Sequence, residues 1–434
     1  MDDYLLISEQ EKEIQNLSEI DEVLNNSKNC EILKAYGEKN EKGYLICDKQ
    51  ISLLEAQIRK QIIEKYVGVK YCSPKSEGFT QTQWDEATRF DYERSMSPDY
   101  LEKKLLEFYQ GTPKFICIFR SGMTAISATF YTMTSVFRRR IDKKIMSYVT
   151  YFETKTLIDG FVTSCHFDNY YINSVNNLYS SIKNDDMDML FLELMDVSLK
   201  EEPVNLNRLR DALVNRKIKK CLIVLIDSTL VDELVDRKEF MNCIPDYIIV
   251  IFMKSCVKLK QFGFEFFNMG CVELYSNSKT SFVDIKRCFN AFRAVTGTAI
   301  DYSNECIMLS STFTHNAIEQ YSNRVRKNTN KIFQIMNKCH RSDIKQIYYQ
   351  KNAPFMLVEL IQDNKDYYIE FINKVSNYMD EKNKEFIYGT SFGFRHTRME
   401  IIEHGNSSHI IRISPGSFWT DSLNELVTYL KGDL

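Results

Sequence analysis

The sequence predicts an α/β protein, with a large domain on a mainly parallel sheet followed by a smaller α+β domain. Three observations lead there. Between residues 115 and 275, short apolar runs alternate with stretches of helical periodicity, as in strands joined by crossover helices. The 434 residues suffice for a large core and two domains, and only seven prolines and no low-complexity linker interrupt them. Past residue 350 the order becomes strand, helix and three short strands, an α+β arrangement.

The elements follow in order. Residues 1–77 read as a helical or extended segment, with Leu54, Ile58 and Ile62 at helical spacing and a polar Asn/Lys/Glu-rich stretch at 25–42. Packing or dimer contact is the expected role. Residues 78–97 lack a period and read as a long ordered loop carrying Tyr92-x-Arg94. Ser97-Pro98 then starts a helix, as N-cap and first helical residue, with Leu101, Leu105 and Phe108 on one face. The α/β domain is expected over 78–315. Its strands are 115–119, 144–149, 189–194, 221–226, 247–252 and 271–275. Helical faces lie between them, among them Ile126, Phe130 and Phe137, then Leu206, Leu209 and Leu213. A long helix over 317–337 opens the C-terminal domain, 316–434. Strand 355–360, helix 367–379 and short strands including 399–402 and 409–413 follow. A last helix carries Leu423, Leu426, Val427 and Leu430 behind a Ser422-x-x-Glu425 capping box.

Composition narrows the function. A net charge of −3 without a basic block gives no case for nucleic acid or an anionic membrane surface. The start, MDDYLLISEQEKE, lacks the pattern of a signal peptide, and no apolar run reaches the ~18–20 residues of a membrane span. Twelve cysteines form no CxxC pair, and Cys117, Cys221 and Cys271 sit in apolar runs, as reduced buried thiols of a cytoplasmic protein do. Six histidines make no HExxH spacing, so no metal site is expected.

Chemistry concentrates between 224 and 270. One apolar run ends in Asp227, and the next leads to Ser255-x-x-Lys258. A carboxylate at one strand end and a lysine past the next are what a bound pyridoxal ring needs, one for the ring nitrogen and the other for a Schiff base with the aldehyde. Lys254, closer to the strand end, competes for that role, but Lys258 alone keeps the S-x-x-K step. Ser121-Gly122-Met123 forms a strand-to-helix turn, either a plain tight turn or one whose backbone N–H groups approach a phosphate. Tyr151 follows a strand end, where a tyrosine can pack ordinarily or lie flat on a ring. Arg412 sits in the apolar run HIIRISPG and must find an anion, from a ligand or from within the chain.

Together and in this order, these pieces over residues 92–416 resemble the pyridoxal-phosphate enzymes of cysteine and methionine metabolism, the cystathionine γ-synthase and γ-lyase group. The resemblance implies the fold-type I architecture, pyridoxal 5′-phosphate as cofactor, and an amino-acid substrate. Tyr92-x-Arg94 is similar to the pair that reaches the phosphate of the neighbouring subunit, which implies a homodimer or homotetramer with composite active sites. Ser121-Gly122-Met123 matches the phosphate turn, and Asp227-Ser228-Thr229 resembles the step whose acid meets the pyridine nitrogen. Ser391-x-Gly393 and Arg412-Ile413-Ser414-x-Gly416 resemble the elements that receive the substrate carboxylate. By the same likeness Ser255 touches the phosphate, Lys258 carries the Schiff base, and Tyr151 stacks on the ring; Tyr151 is also the candidate acid for the leaving group. The implied reaction is elimination or replacement at Cβ or Cγ of an amino acid, with transamination or a catalytically silent homologue as alternatives. The chain departs from the pattern in Tyr151-Phe152-Glu153-Thr154, in Val197 where an asparagine stands, and in FGFE (262–265) after the lysine.

Overall fold

The computed structural model describes residues 3–67, 79–83, 86–90, 97–109, 113–137, 144–339, 341–404 and 408–432. The chain forms two units. One comprises 1–67, 258–266 and 310–434, the other 68–257 and 267–309.

In chain order, α1 (Asp3–Asn25), α2 (Cys30–Glu41) and α3 (Asp48–Val67) come first. The second unit then starts with a two-stranded antiparallel ribbon, β1 (Phe79–Gln83) and β2 (Glu86–Phe90). It continues as α4 (Asp99–Phe108), β3 (Phe115–Phe119), α5 (Gly122–Phe137), β4 (Lys144–Tyr148), α6 (Phe152–Cys165), β5 (Asp168–Tyr171), α7 (Val175–Asn184) and β6 (Met189–Glu193). Next are α8 (Leu206–Val214), β7 (Leu222–Asp227), α9 (Arg237–Met241), β8 (Ile248–Ser255), β9 (Gly270–Tyr275), α10 (Val283–Thr296) and α11 (Tyr302–Met308).

The seven-stranded sheet has the order β3-β9-β8-β7-β6-β4-β5. Strands β4 to β8 pair in parallel, and β9 runs antiparallel between β3 and β8. Both faces are covered, so the central strands carry continuous apolar runs rather than alternating patterns. Leu190, Leu192, Val224 and Ile226 pack with α7 and α8 on one face. Met189, Phe191, Ile223 and Leu225 pack with α5 and α10 on the other. This is why six-residue apolar runs in the sequence mark strands here. β8 is longer than its apolar run and takes in Lys254 and Ser255. β5, whose residues are only half-buried or exposed, carries no such run and was not anticipated.

The first unit resumes with α12 (His315–Met336), β10 (Ile344–Tyr348), β11 (Met356–Leu360), α13 (Lys365–Glu381), β12 (Arg398–His404), β13 (Ser408–Ser414) and α14 (Asp421–Lys431). Its antiparallel sheet has the order β10-β11-β13-β12. Ile411, Ile413, Met356 and Val358 pack against Val375 of α13, Ile332 of α12 and Leu426 of α14. Two strands follow α13, where three short ones were expected; the third segment is reduced to a single bridge, Tyr388 to Met399.

Two caps differ from the sequence reading. α14 is capped by Thr420, whose hydroxyl accepts from the Leu423 amide at 2.9 Å, while Ser422 lies inside the helix and accepts from the Glu385 amide. The residue before α4 is Pro98, and the Ser97 hydroxyl accepts from Arg293 instead of capping the helix. In both cases a tertiary partner claims the serine that a local motif would use.

Candidate active site

The C-terminal ends of β3, β6, β7 and β8 lie along one edge of the seven-stranded sheet, where open α/β sheets hold their ligands. β7 ends in Asp227, whose Oδ1 accepts from the Thr229 amide at 2.8 Å. The Thr229 hydroxyl in turn accepts from the Ser255 amide at 3.0 Å, which ties the end of β8 to the loop after β7. Gly122, at the start of α5, packs on Ser255, and a Cβ there would come within 3.0 Å of the serine Cβ. Ser121 caps the same helix, its hydroxyl accepting from the Thr124 amide at 3.1 Å. The positive end of a 16-residue helix therefore lies beside Ser255.

What lets that turn come so close is Gly270. It opens β9 opposite both Phe119 and Ser255, and a Cβ on it would lie 2.1 Å from the Ser121 carbonyl oxygen and 2.7 Å from the Gly122 nitrogen. Any other residue would collide with backbone. Sequence reasoning passed over this glycine, although a glycine at a strand position is itself a sign of close backbone approach.

A second acid stands beside Asp227. Glu193 ends β6 directly opposite it. Glu193 Oε2 accepts from the Thr150 amide and hydroxyl, both at 2.8 Å, and from the Tyr151 amide at 3.1 Å. Burial, with the neighbouring Asp227 charge added, pushes its carboxyl up to about 7 against those hydrogen bonds. Burial pushes the Asp227 carboxyl up as well. Two carboxyls under this pressure favour a cation or an N–H donor beside them. Through Glu193, Tyr151 is anchored to the same edge, with its ring edge-on to Phe152 at 5.3 Å. Val197, at the position of the missing asparagine, donates its amide to the Thr150 hydroxyl at 3.0 Å.

The two candidate lysines have different surroundings. Lys254, within β8, is buried, and its amine donates to Tyr109 Oη at 2.5 Å, to Asp232 Oδ2 at 3.0 Å and to Glu273. Arg237 bonds the same two acids, so two cations and two carboxylates neutralise one another inside the unit. Burial opposes the Lys254 charge, but Asp232 and Glu273 outweigh it and hold the amine well above the ordinary lysine range.

Lys258 belongs to the other unit. It precedes a single 3-10 turn, Leu259–Gln261, and its amine lies 5.9 Å from the Phe392 ring centre. The loop of Ser391, Phe392 and Gly393 packs on it; Gly393 has φ +77, and a Cβ there would meet Lys258 Cβ at 3.2 Å. Arg412 in β13 lies over the same Phe392 ring, at 5.9 Å, and over Phe355 at 5.3 Å. Its guanidinium pairs with Glu400, directly across on β12, and Glu400 also accepts from the Ser391 amide at 2.9 Å. Arg412 therefore has an anion within the chain, while its buried Nε has no hydrogen-bond partner. Glu400 was not foreseen, because its sequence distance from Arg412 reveals nothing until the strands are paired.

So Ser121, Gly122, Thr229, Asp227 and Ser255 meet in one unit, and Lys258, Ser391 and Arg412 meet in the other. Met123 packs half-buried against the apolar core of its unit. Tyr92 and Arg94 lie outside the described residues.

Comparison with solved structures bears on this architecture. A methionine gamma-lyase from Micromonospora echinospora covers 82% of the chain and 93% of its own length at TM-score 0.55 and 16% identity. Cystathionine gamma-lyase from yeast covers 83% and 93% at TM-score 0.57 and 13% identity. For metB from Corynebacterium glutamicum the values are 86%, 97%, 0.56 and 14%. The chain has their fold. It is the fold-type I architecture, built here on a sequence that matches no protein-family model and no curated protein. Fold alone does not choose a reaction, so function has to be argued from the residues along the sheet edge and around Phe392.

Proposed function

We propose that this protein is a pyridoxal-phosphate-dependent enzyme acting on an amino acid, by elimination or replacement at Cβ or Cγ. The observation that carries the reading is the chain of contacts from Asp227 through Thr229 and Ser255 to Gly122 at one sheet edge. It puts a half-buried acid, two hydroxyls and a helix N-terminus in the order that a ring nitrogen and a phosphate would require. When bound, pyridoxal phosphate supplies an aldehyde that takes up amines and a ring that draws electrons from the adjoining carbon. The sheet edge fits the group, because the raised Asp227 carboxyl gains from a ring N–H and Gly270 leaves the Ser121 turn room to approach.

In this reading Asp227 holds the proton on the ring nitrogen, with Glu193 keeping it away from bulk water. Ser121, Gly122 and Ser255 hold the phosphate. Lys258 would hold the cofactor through its amine, and that amine, when free, would take the proton from the substrate Cα. The ion pairs of Lys254 with Asp232 and Glu273, which favour its charged amine, argue against it in that task. Arg412 orients the substrate carboxylate together with Ser391, with its Glu400 pair fixing the guanidinium plane. Tyr151 gives a proton to the leaving group. A homodimer or homotetramer with Arg94 and Tyr92 serving the partner's phosphate belongs to the same proposal.

The test is to load purified protein with pyridoxal phosphate, reduce with borohydride and map the modified peptide. Modification at Lys258 is expected. Modification at Lys254, or no uptake, overturns the assignment. Products from β- and γ-substituted amino acids then decide the reaction, since transamination leaves the side chain on the keto acid and elimination does not.

A further inference from the structure

The first unit holds a cavity of about 360 Å³ against α1 and the first turns of α12, in the size range of small-molecule pockets. Its walls include Ile20, Phe262 and Tyr321, all buried. Two arginines also line it, and their situations differ. Arg395 pairs with Glu13 and Glu55 and donates to the Phe262 carbonyl, so its charge is met within the protein. Arg324 forms no ion pair among the described residues, and its Nε is shielded from solvent without a hydrogen-bond partner. Burial pulls its guanidinium down from the ordinary value, and the exposed Glu19 and half-buried Glu9 raise it only through space, without a bond. Asn16, also in the cavity wall, has a buried Nδ2 in the same condition.

Both groups are donors, and both lack an acceptor. A shielded guanidinium N–H and a shielded amide N–H left this way are unfavourable unless something in the space between them accepts from them. We propose that the cavity binds a small organic anion, a carboxylate with an apolar or aromatic body. Its charge sits on Arg324 and Asn16, and its body lies against Ile20 and Phe262. The N-terminus of α12, capped by Thr314 in the same wall, adds favourable potential. Phe262 closes the short segment that begins at Lys258, whose carbonyl accepts from the Gly263 amide at 2.9 Å. An occupant would therefore stiffen the turn that carries Lys258. That consequence for catalysis rests on the functional reading above, whereas the binding does not.

The experiment is isothermal titration of the full chain with 3-phenylpropanoate, its neutral analogue 3-phenylpropanol, and inorganic phosphate. One molecule of 3-phenylpropanoate per chain is expected to bind, with the alcohol and phosphate at least ten-fold weaker. Arg324→Met should weaken binding ten-fold or more, as loss of a charge-assisted hydrogen bond does, and Arg324→Lys should restore part of it. Ala317→Phe, which fills the cavity without removing a charge, should abolish binding even if Arg324→Met fails to fold. Arg412→Met should leave it unchanged, which separates this site from the proposed substrate site. Absence of 3-phenylpropanoate binding at millimolar concentration, binding that survives both Arg324→Met and Ala317→Phe, or equally tight phosphate binding would each overturn the proposal.

Discussion

At the scale of single residues, lysine and glutamate show how surroundings decide chemistry. Lys254 and Lys258 are four positions apart, yet one balances a buried quartet of charges and the other precedes a turn beside an aromatic ring. Lys254→Met would leave Asp232 and Glu273 with one cation between them. It is expected to destabilise the protein by roughly 3–5 kcal/mol, while Lys258→Ala changes stability by less than about 1 kcal/mol. Urea unfolding of both variants checks this, and equal losses would contradict the division of roles. Glu193 gives a pH signature. Its carboxyl is raised to about 7 in the folded chain from an ordinary value of 4.5, so the folded state holds a proton that the unfolded state has released. Stability from this group is full below about pH 4.5 and declines as pH rises toward 7, by up to about 3 kcal/mol. Glu193→Gln should flatten that decline, read as unfolding midpoints at pH 5 and pH 8. The sequence made Asp227, Ser255 and Lys258 legible because each follows an apolar run. It did not make Glu400 legible, since that role exists only through the register of β12 against β13.

At the scale of elements, the central strands of the large sheet could be read because both faces are buried and each carries an unbroken run of apolar residues. The half-buried β5 and the polar β10 escaped for the opposite reason, having no run to announce them. The turn between β3 and α5 was legible as a turn, but its closeness to β9 was not, because that depends on an antiparallel pairing across 150 residues of chain. Gly270→Ala tests that closeness. A Cβ 2.1 Å from a backbone oxygen must push the Ser121 turn away, so the variant is expected to lose at least ten-fold in affinity for pyridoxal phosphate. Cofactor titration measures it, and an unchanged affinity would mean that the turn does not hold the phosphate.

At the scale of the whole molecule, the N-terminal helices are part of a core rather than an appendage. Leu17, Leu24, Ile51, Ile58 and Ile62 are fully buried. Glu13 of α1 and Glu55 of α3 pair with Arg395, and Glu55 and Glu385 hold His396, whose imidazole they raise to about 10 against its burial. The sequence showed only helical spacing there and gave no sign of acids committed to residues near the C-terminus. A chain beginning at residue 68 would leave Arg395 without its carboxylates and uncover the apolar surface that Leu6 of α1 packs against. It is expected to lose near-ultraviolet circular dichroism and bind 8-anilinonaphthalene-1-sulfonate, where a native-like spectrum would show the helices to be dispensable.

This arrangement has a consequence in time. Glu55 and Arg395 are separated by 340 residues. At ~5–20 residues per second, a ribosome takes roughly a quarter of a minute to a minute to cover that distance. Throughout that interval the first three helices are out in the cell with their apolar faces uncovered, while the sheet unit can already close behind them. Among the elements of this unit, α1 to α3 thus wait longest for their partners, and a holdase that recognises amphipathic helices would find its target in residues 3–67.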